Sequence, residues 1–279
     1  MIDAIIDGLL DTLKLLPYLL VTFIVLELIE HKLSKKNQEL LSKKGNKGKV
    51  VLGGLLGALP QCGFSAVGAN LFSSRVITMG TLIAVFLSTS DEMLPIMISE
   101  HTKIKELLTI IVFKIIIGIV VGLIVDLIYK RKETNEEIKD ICENEHCDCH
   151  HRGIVLGALI HTLKTTLFIL IANLLINIVI YFVGEESLKN VLLHKNILTY
   201  FLASLIGLIP NCAASVVITE VYLSGLITIG TLMSGLLTGS GLGILLLFKT
   251  NKNMKENLSI LGIIYSVGVI VGLIVDLLV

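Results

Sequence analysis

The sequence predicts an all-α polytopic membrane protein: two inverted repeats with discontinuous, broken or re-entrant helices, about ten helical segments in all. Three observations carry this. Charges are few and clustered, leaving long apolar runs. The chain aligns with itself when shifted so that Pro60 falls on Pro210. Both of these prolines interrupt an apolar stretch at the same Pro-polar-Cys step, Pro60-Gln61-Cys62 and Pro210-Asn211-Cys212.

The 279 residues are 54% hydrophobic and 16% charged, against about a quarter charged in an ordinary soluble domain. Long apolar runs include Leu15–Leu28, Ile104–Tyr129, Ile154–Val183 and Ile260–Val279, and runs of roughly 20 mostly apolar residues can cross a hydrocarbon core of about 30 Å. Residues Met1-Ile2-Asp3-Ala4 lack a basic leader and a small-residue cleavage site, so the first apolar segment reads as a retained helix. The net charge is zero, which gives no reason to expect a nucleic-acid partner; the expected environment is a lipid bilayer. Five cysteines, three of them crowded into one polar linker, do not form a disulfide framework.

The self-alignment divides the chain into a first membrane repeat (1–130), a Cys/His-rich linker (131–152) and a second membrane repeat (153–279). Ile77-Thr78-Met79-Gly80-Thr81-Leu82 falls on Ile227-Thr228-Ile229-Gly230-Thr231-Leu232, and Gly122–Leu127 is repeated letter for letter as Gly272–Leu277. Basic residues orient the repeats. The loop Lys32–Lys49 carries seven lysines, Lys130-Arg131-Lys132 opens the linker, and Lys249, Lys252 and Lys255 occupy the last loop, so all three are expected to be cytoplasmic. The loop from Gly184 to Ile197, with Glu185 and Glu186, then lies outside. An odd number of crossings per repeat satisfies all of these assignments, and an odd number inverts the second repeat.

Along each repeat, the elements follow from their breakers. In the first segment Asp3, Asp7, Asp11 and Lys14 share one helical face, and the equivalent face of the second repeat presents His161 and Lys164. Val50–Phe72 and Tyr200–Tyr222 read as helix-break-helix units, because proline has no N–H and clashes with the preceding turn. Backbone freed there cannot face lipid, so each break must be buried or line a wet cavity. A second break follows at Ser88-Thr89-Ser90-Asp91-Glu92, matched by Thr238-Gly239-Ser240-Gly241. The Thr89-x-x-Glu92 spacing has the form of a capping box with Thr89 as N-cap.

The candidate substrate or ion path gathers at these breaks. Asp91 is an acid within an apolar run, where a charge costs about 2.5–3.5 kcal/mol, so it is either on the ion path or stabilises a half-helix start. Gln61, Cys62, Asn211 and Cys212 flank the first breaks, with Ser90, Glu92 and Ser240 at the second. The two cysteines are either ligands or ordinary small buried side chains. Asp11, His161 and Glu220 complete the set: His161 as ligand, proton carrier or satisfied core histidine, Glu220 as a coupling carboxylate or a helix-end residue. Asp126 and Asp276, near segment ends, read as structural or interfacial, and Lys114 receives no role. Asp91, Cys62, Cys212 and His161 are the membrane residues whose chemistry suits a metal. The linker adds Cys142, His146, Cys147, Cys149, His150 and His151, a density that suits metal capture although its spacing matches no zinc module; a solvated connector is the other reading.

"LPQCGFSA", "GTLIAVFLSTSDE", "HTLK" and "LIPNCAASV", in this order and with a Cys/His-rich linker between the halves, resemble the ten-transmembrane heavy-metal exporter family, whose members are labelled manganese transporters or arsenic efflux proteins. The likeness spans essentially the whole chain. It implies metal export across a prokaryotic plasma membrane, with the metal as cargo and no resident cofactor. Oxygen and nitrogen donors such as Asp91, Asn211, Gln61, Ser90 and His161 suit manganese or another divalent transition metal, whereas Cys62, Cys212 and the linker thiols suit softer species such as zinc, copper(I) or arsenicals, with arsenite or an organoarsenical as the alternative cargo. No Walker-type motif is present, so transport is expected to run on a gradient, with protons as a coupling ion; a homo-oligomer is compatible with the sequence. H-E-x-x-H and G-x-S-x-G are absent, which argues against an enzyme. A metal-conducting channel or sensor is the remaining rival.

Overall fold

In the computed structural model the described residues are 46–59, 62–90, 93–129, 162–171 and 197–278, with positions 13, 16, 17, 20, 21, 24, 159, 160, 174, 175 and 192. Among these residues all regular structure is helical. The first half carries α1 (Asn46–Gly57), α2 (Cys62–Ser73), α3 (Met79–Ser88), α4 (Met93–Ser99) and α5 (Ile104–Ile128). The second carries α6 (Leu198–Gly207), α7 (Cys212–Leu223), α8 (Ile229–Thr238), α9 (Leu242–Thr250) and α10 (Met254–Leu278). Each helix of the second half matches one in the first, and α2/α7, α3/α8 and α5/α10 coincide residue for residue under the sequence alignment. A further apolar helical stretch covers Thr162–Ile171.

The repeated motifs explain one another. Thr78 and Thr228 are the N-caps of α3 and α8, their side chains accepting from the amides of Thr81 and Thr231. Asp126, in the last turn of α5, accepts from Thr78 Oγ1 at 2.7 Å and from the Gly80 amide at 2.9 Å. Asp276 in α10 does the same with Thr228 and with the Gly230 amide at 2.8 Å, and also accepts from the Tyr200 hydroxyl at 2.7 Å. A carboxylate at a helix start meets both the free amides and the positive dipole end. Gly80 and Gly122 permit this approach: a Cβ on Gly80 would overlap the Gly122 carbonyl, and Gly230 and Gly272 repeat the arrangement. Small residues are what allow helix backbones to touch inside a bilayer. The structural role expected for Asp126 and Asp276 therefore rests on helix capping.

Burial separates the helices into two classes. Every residue from Gly80 to Ser88 and from Gly230 to Thr238 is buried, so α3 and α8 are enclosed all round, which suits their mostly apolar make-up with hydroxyls as the polar groups. The long helices α5 and α10 surround them. On α5 the buried stripe Leu107, Ile110, Lys114, Gly118, Gly122, Val125 lies opposite an exposed stripe of Leu108, Val112, Ile116, Val120 and Ile124. An exposed face made of aliphatic side chains suits lipid and not water. Met79–Ser99, Ile104–Ile128, Ile229–Thr250 and Met254–Leu278 are long and apolar enough to cross a membrane.

Contacts fix the relative directions. Gly53 and Gly57 of α1 lie against Thr81–Val85 and Val85–Ser88, so α1 runs parallel to α3. Gly118 and Gly122 of α5 lie against Ala84–Ser88 and Gly80, so α5 runs antiparallel to α3. Between the halves, Gly243 lies against Ser65, and Ser73 Oγ is 2.6 Å from Thr250 Oγ1, which makes α2 and α9 parallel. The equivalent pair α7 and α4 also pack together. Tyr129, just beyond α5, meets Ser259 in the first turns of α10 at 3.2 Å, so the two long helices meet end to start.

Candidate functional site: the converging helix breaks

The breaks lie together. The C-terminal ends of α1 and α3 meet where Gly57 abuts Ser88, and those of α6 and α8 meet where Gly207 abuts Gly235 and Thr238. Gly243, at the start of α9, packs on Phe86 of α3 as well as on Ser65 in the first turn of α2. The starts of α2 and α9 are thus side by side, next to the end of α3.

Lys114 joins the two halves at this level. It is among the largest side chains with no exposed surface. Its Nζ donates to the carbonyl of Thr89, at the end of α3, and to the carbonyl of Leu236, in the last turn of α8, at 2.9 Å. The Leu236 carbonyl is available because the chain turns: the Ser240 amide bonds Thr238 O instead of continuing the helix. A cation on two helix C-terminal carbonyls is favourable both by hydrogen bonding and by the dipole, an effect of up to about 2 kcal/mol in partly buried geometry. Sequence reasoning left Lys114 without a role because its repeat mate, Ile264, is apolar; a lysine within the run Ile104–Tyr129 was itself the signal.

Local hydroxyls close the break of the first half. Ser88 Oγ donates to Ala84 O at 2.7 Å, Thr89 Oγ1 to Val85 O at 2.8 Å and Ser90 Oγ to Ser88 O at 3.2 Å. Thr89 is the C-cap of α3, which corrects its expected place as the N-cap of the following helix. The reason is that its hydroxyl reaches back four residues to a carbonyl, an alternative always open to threonine. In the second half, Asn211 is the N-cap of α7, buried, with Oδ1 accepting from the Ala213 amide at 3.0 Å. Ser240 is fully buried and its Oγ has no hydrogen-bond partner among the described residues.

Of the expected path residues, the structure brings Ser90, Asn211 and Ser240 to the breaks, and α2 and α7 begin at Cys62 and Cys212. Glu220 lies exposed near the far end of α7. Asp11, Gln61, Asp91, Glu92, His161 and the linker residues Cys142, His146, Cys147, Cys149, His150 and His151 lie outside the described residues. Among the described residues no three His, Cys, Asp or Glu gather into a metal-holding group.

A family model described as "Putative, 10TM heavy-metal exporter" matches residues 1–185. The chain belongs to that family. The matched region holds α1 to α5 and the helical stretch Thr162–Ile171. For a heavy-metal exporter family member, the apolar outer stripes and long spans describe a multi-pass membrane protein, and transport is not an enzyme class. Comparison with curated proteins and with solved structures finds no match.

Proposed function

We propose that this chain exports a heavy-metal ion, foremost a divalent transition metal such as manganese, across the plasma membrane by a gradient-driven mechanism with protons as coupling ion. The observation that carries the reading is the meeting of both halves' helix breaks around Lys114. Broken helices whose carbonyl ends and hydroxyls gather in a membrane interior are the ordinary material of an ion path. Asp91 and Glu92 follow directly on Ser90, and are the acids that would meet a cation there.

The same reading takes the halves as inverted repeats. Its support is the antiparallel meeting of the equivalent helices α5 and α10 and the parallel, half-exchanging pair α2 and α9. In this arrangement α1–α2 and α6–α7 are re-entrant hairpins, while α3–α4 and α8–α9 are broken crossings. Lys49, Arg75, Lys249, Lys252 and Lys255 then share one face with the end of α5, which makes that face, and the linker, cytoplasmic. Efflux of arsenite or an organoarsenical is the second reading, favoured by a cysteine at the start of each equivalent half-helix, Cys62 and Cys212.

The test is metal and metalloid content in cells lacking native exporters, challenged with manganese, zinc, copper or arsenite, with Asp91→Asn as control. Selective loss of one species, abolished in the control, is expected. Unchanged content for all four would remove the metal reading.

A further inference from the structure

The two long helices each begin with a glutamate in the same register, Glu106 in α5 and Glu256 in α10. Both reach across to the other half. Glu256 pairs with Arg75 of the first half at 2.9 Å, and Glu106 accepts from Tyr222 of the second half at 2.6 Å. The partners are placed alike: Tyr222 lies at the end of α7, and Arg75 just beyond the end of α2. These are the half-helices that start at the central breaks.

The two contacts lie at opposite ends of the molecule. Residues 106 and 126 are separated by about 30 Å of helical rise. Asp126 holds the start of α3 at Thr78, three residues from Arg75, whereas Glu106 is at the other end of α5. We propose that Arg75–Glu256 and Tyr222–Glu106 are two gates between the halves, the first closing the breaks from the basic face and the second from the opposite face. Each ties the outer tip of one half's second half-helix to the other half's long helix. Parting either tie frees that tip on one face only, so each gate opens the path on its own side.

The gates are unequal. Arg75 is largely buried, lies over the Phe72 ring at 5.8 Å and uses a charge-assisted bond. Beside it, Ser73 meets Thr250 at 2.6 Å, and Asn251 Nδ2 donates to Asn257 at 2.7 Å and to Glu256 at 3.3 Å. The tyrosine gate relies on a single phenol–carboxylate bond among the described residues. The arrangement is therefore closed more firmly at the basic face. What passes the gates rests on the exporter reading; their existence does not.

The test uses the full chain with Cys142, Cys147 and Cys149 changed to serine, leaving Cys62 and Cys212 at the breaks as the remaining thiols. A membrane-impermeant methanethiosulfonate is applied to right-side-out and to inside-out vesicles. Arg75→Gln is expected to speed labelling from the basic face by about tenfold, the factor corresponding to about 1.4 kcal/mol, with no change from the other face. Tyr222→Phe is expected to give a smaller rise from the opposite face alone. The exchange Arg75→Glu with Glu256→Arg keeps the pair and should label as slowly as the parent, which separates gate opening from misfolding. Rises on the same face for both variants, or no sided change in either, would overturn the proposal. Sided labelling without metal export keeps the gates and removes the exporter reading; export with unsided labelling does the reverse.

Discussion

Lys114 Nζ donates to Leu236 O at 2.9 Å while also holding the carbonyl of Thr89, so one ammonium ties the end of α3 to the end of α8. The two acceptors belong to equivalent helices of the two halves, but the donor exists in only one half.

The first prediction concerns that ammonium. Lys114→Met keeps most of the volume but leaves two carbonyls without their donor, at about 1–3 kcal/mol for each buried unsatisfied group. Export should be lost, while monodisperse protein is still recovered in detergent with a lowered unfolding midpoint. Size-exclusion profiles and metal content read together check this.

The aspartate caps should behave differently. Asp126→Ala and Asp276→Ala each remove a helix cap, a loss of about 0.5–2 kcal/mol. Asp276→Ala should be the more damaging, since Tyr200 also loses its acceptor. Export per folded molecule should remain near the parent value. Thermal unfolding and transport normalised to folded protein distinguish these variants from Lys114→Met.

Glycine packing gives a paired test. Gly80→Ala drives a Cβ into the Gly122 carbonyl and should cost about 1–3 kcal/mol or more, the usual penalty of overpacking. Gly262→Ala on α10 meets nothing within 4 Å and should be neutral or stabilising by up to about 1 kcal/mol through helix propensity. Unfolding midpoints of the two variants in one detergent check the contrast.

Much of this was legible in the sequence because the repeat supplies its own control. The breaks at Pro60 and Pro210 appear twice in one register, so their meaning as interruptions could be read from patterning alone; the motifs around Gly80 and Gly230 show as a repeat in the sequence, and their capping by Asp126 and Asp276 shows only in the packed helices. Lys114 was not legible in this way. It occurs once, and its partners are main-chain carbonyls exposed by breaks elsewhere, which no side-chain pattern records. Thr89 misled for a related reason, since one hydroxyl can cap the helix before it or the helix after it. The glutamate pair at 106 and 256 was visible as a repeat, but its exchange between halves appears only when the helices are packed.

Ser240 allows stability and function to be pulled apart. Its buried hydroxyl lacks a partner among the described residues, and removing such a group relieves a penalty of about 1–3 kcal/mol. Ser240→Ala should therefore raise the unfolding midpoint. If the hydroxyl serves the cargo, the same variant lowers export, the trade-off expected of a site residue. A raised midpoint with unchanged export would remove Ser240 from the path.

The most direct test of the central claim is manganese flux in inside-out vesicles loaded with a metal-sensitive dye, comparing the parent chain, Lys114→Met and Asp126→Ala. The account predicts filling by the parent and by Asp126→Ala, and none by Lys114→Met at equal folded protein. Filling by Lys114→Met at the parent rate would contradict it.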